Sequence, residues 1–254
     1  MRMDLPINVD KIYVVHVSSD KHREEHIKRE LGRFGISFEF MLKGDKSDIS
    51  TEIITEYFTG DEVGGLSPSA QQSCTYKHLS IYEKMLVDGV QDALVFEDDV
   101  YLSENFNEVF NKTISELKSL PKEIQDKALV NFENSTLQII HPSKQLEGKH
   151  LYKAEKSRCA GAYYLNKNLA QSITDYRIKY KCNKIIDWYH NELISAIQLQ
   201  HYWCHPPVVE QGSHNGRIQS MIDDKKYGYI RQFTWKISRL YKHKIRPLFG
   251  NRKK

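Results

Sequence analysis

The chain has 254 residues, of which 40% are hydrophobic and 28% are charged, so it can form one globular core and is not a low-complexity chain. The net charge of +4 hides an asymmetry, because residues 225–254 hold eleven Lys and Arg and no acid, whereas the preceding residues hold 26 basic and 33 acidic side chains, a net charge of −7. An acidic body without a recognisable binding motif argues against a nucleic-acid-binding protein.

The apolar runs and the cysteines point to a protein of the cytoplasm. The longest apolar runs, such as residues 12–15, are as long as a strand, and a spanning helix needs about 20 apolar residues. The four cysteines are widely spaced and form no CxxC pair, which argues against structural zinc. We therefore expect reduced thiols and no secretory leader.

The first residues predict a β-α-β opening. Residues 11–17 are a continuous apolar run, typical of a parallel strand that is covered on both faces. Residues 18–20 offer side chains that cap a helix, and a charged helix follows over about 21–31. Residues 36–42 alternate weakly and predict a second strand.

Strands and helices continue to alternate along the chain. The predicted helices cover about residues 49–58, 69–87, 104–120, 166–180 and 187–199. The predicted strands cover residues 93–96, 128–132, 160–165 and 202–209, and residues 133–157 show no clear pattern. This alternation predicts an α/β fold with a mainly parallel central sheet.

Three adjacent acids, Glu97, Asp98 and Asp99, directly follow the apolar strand at 93–96. Mutual repulsion and desolvation disfavour such a group unless a cation offsets its charge, and hard oxygen ligands suit Mg²⁺ or Mn²⁺ bound to a substrate phosphate. A solvated turn is the alternative that the pattern leaves open. Ligands bind beyond the carboxyl ends of parallel strands, so a nucleotide would lie between these acids and residues 16–20.

The region around the acids resembles glycosyltransferase family 25. Residues 70–82, AQQSCTYKHLSIY, are followed by residues 93–100, ALVFEDDV, and this combination is the specific part of the resemblance. The family includes bacterial lipooligosaccharide galactosyltransferases and the collagen galactosyltransferases. Weaker matches keep the family's order at residues 12–15 with Arg23, 160–166 and 206–211. Two positions depart from its pattern, because Ser73 and Lys77 stand where the family has Gly and Ser.

The resemblance implies a GT-A type fold, a nucleotide-sugar donor, Mn²⁺ or Mg²⁺, and inversion at the anomeric carbon. It favours UDP-galactose as the donor and a lipid-linked lipooligosaccharide or lipopolysaccharide as the acceptor. We accordingly divide the chain into a catalytic domain over residues 1–224 and a basic amphipathic tail over residues 225–254. A phosphatase or a nucleotidyltransferase would share the acidic motif, but neither explains residues 70–87 or 160–166.

Roles for the acids follow from this resemblance. Asp99 is expected to bind the metal directly, and Glu97 and Asp98 to contact the ribose or metal-bound water, with Glu97 also a metal ligand. His214 is a further candidate ligand, and a surface histidine is the alternative. Asp187 is the candidate general base, beside aromatic residues that suit a sugar ring, and an N-cap aspartate is the alternative.

The remaining candidates concern the donor and the membrane. His16, Ser18, Arg23, His78 and Arg158 are assigned to the donor, the two arginines through its phosphates. In the tail, apolar residues recur at helical spacing among basic ones over residues 235–246, which predicts a helix that binds an anionic membrane surface. A terminal helix packed on the domain is the alternative. We expect a protein that is peripheral on the inner face of the cytoplasmic membrane and binds no nucleic acid.

Overall fold

The computed structural model describes residues 6–60, 63, 65–135, 139–219 and 229–242. Its nine strands are β1 (Lys11–Val15), β2 (Glu39–Met41), β3 (Asp92–Glu97), β4 (Val100–Leu102), β5 (Ala128–Asn131), β6 (Leu151–Lys153), β7 (Ala162–Asn166), β8 (Gln200–Cys204) and β9 (Val209–Gln211) within the described ranges. Seven of them form one sheet, and β4 pairs with β9 in a separate two-stranded sheet.

The helices of the described residues are α1 (Lys21–Gly32), α2 (Thr51–Tyr57), α3 (Ala70–Asp88), α4 (Phe106–Lys118), α5 (Lys122–Gln125), α6 (Lys167–Tyr180), α7 (Ile186–Ala196), α8 (Gly212–Asn215) and α9 (Tyr229–Leu240), with a 3₁₀ turn at Pro142–Lys144. Among these residues, no helix combines the length and the hydropathy that crossing a membrane requires. Residues 220–228 and 243–254, and with them the distal part of the predicted tail, lie outside the described residues.

The seven strands of the main sheet lie in the order β2-β1-β3-β7-β5-β8-β6. Strands β1, β2, β3, β5 and β8 point in one direction, whereas β7 and β6 run in the opposite direction. The expected α/β fold, with a mainly parallel sheet flanked by helices, is confirmed. The carboxyl ends of β1 and β3 are neighbours, because Val15 pairs with Glu97.

Both faces of the sheet are covered, which explains the continuous apolar runs of its strands. In β1, Tyr13 and Val15 belong to one buried cluster and Ile12 and Val14 to the other. Residues of α3, α6 and α7 pack in the first cluster, and residues of α1 and α4 pack in the second. Two apolar layers therefore hold the ends of the central strands in place.

The helix that carries most of the family resemblance has well-defined ends. At the start of α3, the Ser69 hydroxyl accepts from the Gln72 amide and the Gln72 side chain accepts from the Ser69 amide, a reciprocal capping box. At its end, Gly89 adopts a left-handed conformation with φ of 74°, which glycine tolerates best. Both ends agree with the predicted range of 69–87.

Candidate functional site

A cavity of about 260 Å³ opens at the carboxyl ends of β1 and β3. Its wall includes His16 after β1, Arg23 from α1, Cys74 and Lys77 from α3, and the three adjacent acids. The structure therefore brings together the two strand ends between which a nucleotide was expected to lie.

The middle acid of the triplet is engaged in a buried ion-pair network. Asp98 accepts a hydrogen bond from Nη1 of Arg23 at 2.7 Å, and its other oxygen lies 2.8 Å from Nδ1 of His16. Burial acts to raise the pKa of Asp98, but the hydrogen bond with His16 and the charge of Arg23 outweigh it and lower that pKa. Both oxygens of Asp98 therefore have a partner, and Asp98 ties the end of β1 to α1 at the wall of the cavity, where its contact with a donor stays a prediction. Nε2 of His16 has no hydrogen-bond partner among the described residues.

The last acid of the triplet keeps one free oxygen. Asp99 is 1% exposed, and its Oδ2 accepts from the backbone amide of Ser213 at 2.9 Å. Its carbonyl oxygen accepts from the amide of Gly212 at 2.7 Å. Oδ1 of Asp99 has no hydrogen-bond partner among the described residues, although it is buried. A buried carboxylate oxygen without a donor is a costly arrangement that a bound cation would relieve.

The first acid of the triplet lies among other carboxylates. Glu97 accepts from Nε2 of Gln211 at 2.7 Å, and its other oxygen lies 3.6 Å from Nε2 of His78. Burial, followed by the negative charges of Asp99 and Glu133, raises the pKa of Glu97 to about 8. Neighbouring negative charges thus oppose ionisation of Glu97.

Another buried acid, Glu133, was not among the predicted site residues, and it follows β5 as the triplet follows β3. Its Oε2 accepts from the amide of Gly161 at 2.9 Å, and its Oε1 lies 3.3 Å from Nδ1 of His214. A Cβ at position 161 would lie 2.7 Å from that carboxylate and 2.6 Å from Gln211, so this approach requires glycine. The only signal in the sequence was the place of Glu133 just beyond a strand end.

Asp187 lies in the first turn of α7 and belongs to the same cluster of acids. Burial and the charges of Glu97 and Glu133 raise the pKa of Asp187 to about 8, and the charge of His214 acts against them. The alternative reading as an N-cap is wrong, because α7 has Ile185 at its N-cap and no capping bond from a side chain. The neighbouring Trp188 is 56% exposed.

His214, in the short helix α8, lies at the rim of this cluster, where its side chain is 49% exposed. Burial acts to lower its pKa, but the hydrogen bond and charge of Glu133, with the charges of Asp99 and Glu97, raise it to about 9. His214 is therefore a partly exposed histidine beside Glu133, and its role as a metal ligand stays a prediction.

These residues fit a divalent cation. Glu97, Asp99, Glu133 and Asp187 supply carboxylate oxygens, the ligands that Mg²⁺ and Mn²⁺ prefer. Ligand atoms of Glu133, Cys159 and His214 lie within 4.8 Å of one another, as do those of Cys74, His78 and Glu97. We refer to Glu97, Asp99, Glu133 and Asp187 together as the acidic cluster.

A second ion pair, which the sequence analysis also missed, closes the wall of the cavity. Nζ of Lys77 lies 2.8 Å from Oδ1 of Asp45 and donates to the carbonyl oxygens of His16 at 2.8 Å and Leu42 at 2.6 Å. The other oxygen of Asp45 accepts from the amide and the hydroxyl of Ser18. Lys77 therefore holds the segments that follow β1 and β2 against α3. This is the position at which the chain departs from the family's Ser.

Two of the expected donor residues have other surroundings. His78 is fully buried, and its Nδ1 is hydrogen-bonded to the hydroxyl of Tyr163 at 2.7 Å. This bond orients the ring so that its Nε2 faces Glu97. Burial lowers the pKa of His78 to about 3, which keeps the ring neutral. Arg158 does not line this cavity but a separate cleft that also includes Trp203.

The chain is similar to known glycosyltransferases. The model of Glycosyltransferase family 25 (LPS biosynthesis protein) matches residues 9–189. The chain is 27% identical over 158 residues to the lipooligosaccharide biosynthesis protein lic2B of Haemophilus influenzae, a match that covers 60% of this chain and 58% of that protein. It is 28% identical over 92 residues to the lacto-N-neotetraose biosynthesis glycosyltransferase LgtB of Neisseria meningitidis serogroup B, covering 36% of this chain and 34% of that protein.

The matched segments thus span less than two thirds of either relative. Among solved structures, the glycosyltransferase GlyE of Streptococcus pneumoniae TIGR4 aligns with a TM-score of 0.42 and 12% identity, covering 91% of this chain and 60% of GlyE. A glycosyltransferase involved in the glycosylation of the major capsid of PBCV-1 aligns with a TM-score of 0.39 and 10% identity, covering 79% of this chain and 92% of that one.

The Lys77–Asp45 pair predicts a large loss of stability when its cation is removed. Lys77→Met should lower the free energy of unfolding by about 3 kcal/mol, because it leaves Oδ1 of Asp45 and three carbonyl oxygens without this donor. Urea unfolding followed by tryptophan fluorescence measures the change. Lys43→Met, at an exposed position of the same segment, is the control and should stay within about 0.5 kcal/mol of the parent. Equal stability of the two variants would contradict the role of Lys77.

Proposed function

The chain belongs to glycosyltransferase family 25, and from this premise we propose that it transfers a hexose from a nucleotide-sugar donor to an oligosaccharide acceptor in lipooligosaccharide or lipopolysaccharide assembly. The observation that carries the proposal is the place of Glu97 and Asp99 in the wall of the cavity at the ends of β1 and β3, where the charge of Glu97 interacts with those of Glu133 and Asp187. UDP-galactose is the proposed donor, and the proposed reaction inverts the anomeric carbon.

The donor is proposed to lie in the cavity with its nucleotide toward the segment after β1. His16 supports this orientation, because its Nε2 lacks a partner among the described residues, and the Lys77–Asp45 pair fixes the same segment. A bound Mn²⁺ or Mg²⁺ would offset the charge that develops on the leaving diphosphate. Asp99 and Glu97 would hold this ion, with Glu133 and His214 beside them.

Asp187 is proposed to accept the proton of the attacking acceptor hydroxyl. A general base works best when its pKa lies near the working pH, and the pKa of Asp187 is raised to about 8 by burial and by the charges of Glu97 and Glu133. The exposed ring of Trp188, next in the chain, is suited to cover the apolar face of a hexose. A phosphatase or a nucleotidyltransferase would use the same carboxylates, but the family match favours sugar transfer.

The helix α9 is proposed to bind the inner face of the cytoplasmic membrane. Phe233, Ile237, Leu240 and Tyr241 are each at least 50% exposed and recur at helical spacing, so they form one apolar stripe. Lys and Arg are abundant around the stripe, and anionic lipids attract such a segment. On another side, the side chain of Gln232 donates to the carbonyl oxygen of Gly216 at 3.2 Å. That contact ties the helix to the body while the stripe stays accessible.

The function is tested by a screen of UDP-sugars for Mn²⁺-dependent hydrolysis and thermal stabilisation. One UDP-hexose, UDP-galactose first, should be hydrolysed, and Asp99→Asn should lower the rate by about 100-fold or more, because the cation loses a direct ligand. Hydrolysis of none of the UDP-sugars, with phosphate monoesters cleaved instead, would contradict the proposal.

Thermal unfolding tests metal binding by the acidic cluster without measuring turnover. Glu97 and Asp187 have pKa values raised to about 8, so ionising them costs stability, and without a metal ion the protein should become less stable as the pH rises from about 5 to 8. Mn²⁺ should therefore raise the melting temperature more at pH 8 than at pH 5, and Asp99→Asn should reduce that gain. An equal gain at both pH values would count against metal binding by the acidic cluster.

The base is tested separately. Asp187→Asn should lower the turnover number for sugar transfer by roughly 10²–10⁴-fold, the usual contribution of a general base. Binding of UDP with Mn²⁺, measured by calorimetry, should be retained. Asp175→Asn, at an exposed position of α6, is the control and should transfer sugar at the parent rate. A near-normal rate for Asp187→Asn would reject the assignment.

Membrane binding is tested with vesicles that contain phosphatidylglycerol. The triple variant Phe233→Ser, Ile237→Ser, Leu240→Ser should partition onto these vesicles at least about 10-fold less, because it loses apolar area that the membrane would bury. The matched control replaces three exposed apolar residues outside α9, Leu66→Ser, Val87→Ser and Ile178→Ser, and should bind as the parent does. If the two triple variants partition equally, α9 is not the membrane contact.

A further inference from the structure

A second cleft, of about 520 Å³, lies at the edge of the sheet formed by β6 and β8. Its wall includes four basic side chains, Lys144, Lys153, Lys156 and Arg158, and the aromatic residues Tyr152 and Trp203. We call it the basic cleft. It is distinct from the donor cavity, with which it shares no lining residue.

The charge of this cleft differs from that of the domain around it. Residues before 225 carry a net charge of −7, yet the lining of the cleft holds four cations against the single acid Glu155. Some exposed lysines elsewhere have an acidic partner, as Lys112 has Glu108 and Lys122 has Asp126. Within the described ranges, none of the four cations of the cleft has a carboxylate within 4.0 Å. Concentrated positive charge in a concave site attracts an anion.

The aromatic residues indicate what kind of anion would fit. Tyr152 and Trp203 are paired neighbours on β6 and β8, so their side chains lie on the same face of the sheet. Trp203 is partly exposed, and its ring offers an apolar surface beside the cations. An indole surface next to positive charge suits a sugar that carries an anionic group, because the ring covers the apolar face of the sugar.

The cleft is joined to Asp187 by one short segment, residues 154–159. The amide of Ser157 donates to Oδ1 of Asn191 at 2.7 Å, and Nδ2 of Asn191 donates to the carbonyl oxygens of Ser157 at 2.9 Å and Asp187 at 3.0 Å. Arg158 at the cleft is followed directly by Cys159, whose sulfur lies within 4.8 Å of ligand atoms of Glu133 and His214. The segment that lines the cleft therefore ends beside the acidic cluster.

We propose that the basic cleft binds a phosphate or carboxylate substituent of the acceptor saccharide and thereby presents a hydroxyl of that saccharide to Asp187. The inference rests on the proposed function and deepens it, because it names the class of acceptor as an anionic oligosaccharide. Charge-assisted hydrogen bonds to the lysines and to Arg158 would supply most of the selectivity over a neutral sugar.

The test measures binding of 3′-sialyllactose, lactose 1-phosphate, lactose and inorganic phosphate by calorimetry. Both anionic saccharides should bind the parent protein at least about 10-fold more tightly than lactose does, since charge-assisted contacts add to those of the ring. The variant Lys153→Gln, Lys156→Gln, Arg158→Gln should lose this difference. The matched control Lys28→Gln, Lys112→Gln, Lys122→Gln removes the same number of positive charges from exposed positions. It should keep the preference for the anionic saccharides.

Several results would overturn the proposal. These are equal binding of the neutral and anionic saccharides by the parent protein, and an unchanged preference in the cleft variant. Inorganic phosphate that binds as tightly as the anionic saccharides would show that no sugar is recognised. A single-stranded oligonucleotide that binds more tightly than the saccharides, and only when the cleft is intact, would assign the cleft to nucleic acid instead.

Failure of the proposed function would look different. Hydrolysis of UDP-sugars and binding of UDP with Mn²⁺ depend on the acidic cluster and should be equal in the parent, cleft and control proteins. If the parent hydrolyses a UDP-sugar but does not discriminate between the saccharides, the cleft proposal alone fails. If it discriminates but hydrolyses no UDP-sugar, the transferase activity fails and the role of the cleft as an acceptor site fails with it, while anion binding stands.

Discussion

The burial of several neighbouring carboxylates at the ends of β3 and β5 is the constraint on which the rest of this structure depends. Burial, followed by the negative charges of neighbouring acids, raises the pKa values of Glu97 and Asp187 to about 8. Such a group costs stability unless protons or a cation offset it. Hydrogen bonds from the amides of Gly161 and Ser213 and from the side chain of Gln211 stabilise three of these acids individually, but they do not remove the mutual repulsion. The cluster is thus preorganised for a positive charge.

Asp98, in the middle of the triplet, has its negative charge offset by protein side chains. It is surrounded by Arg23 and His16 rather than by acids, and its pKa is lowered although it is buried. Adjacent residues of one triplet therefore have different surroundings, with Glu97 at the end of β3 and Asp98 and Asp99 in the turn that leads to β4. The Lys77–Asp45 pair is a second buried ion pair in the wall of the donor cavity. These ion pairs stabilise the wall without using Glu97 or Asp99, which we propose as ligands of the cation.

Local patterns were enough to predict the α/β class, the helix α3 with both of its ends, and the strand that leads to the triplet. Contacts between distant segments could not be predicted in this way. Asp45 and Lys77 are brought together from two segments of irregular and helical structure, and nothing near either residue identifies its partner. Glu133 begins the stretch that had no clear pattern, and the direction of β7 depends on its neighbours in the sheet. Arg158 was assigned from its residue type alone, and the turn of the chain after β6 carries it to another cleft.

In the proposed reaction, the donor cavity and the basic cleft bind the negative charges of two different substrates. A nucleotide-sugar brings a diphosphate toward an acidic cluster, so a cation must accompany it, and the same acids would repel an anionic acceptor. Under the proposal, the cations of the basic cleft would offset that repulsion by binding the anionic group of the acceptor. An acceptor held in this way along residues 154–159 would keep its anionic group on the cations of the cleft and present a neutral hydroxyl to Asp187. Position along this segment, rather than the net charge of the protein, would then determine which hydroxyl reacts.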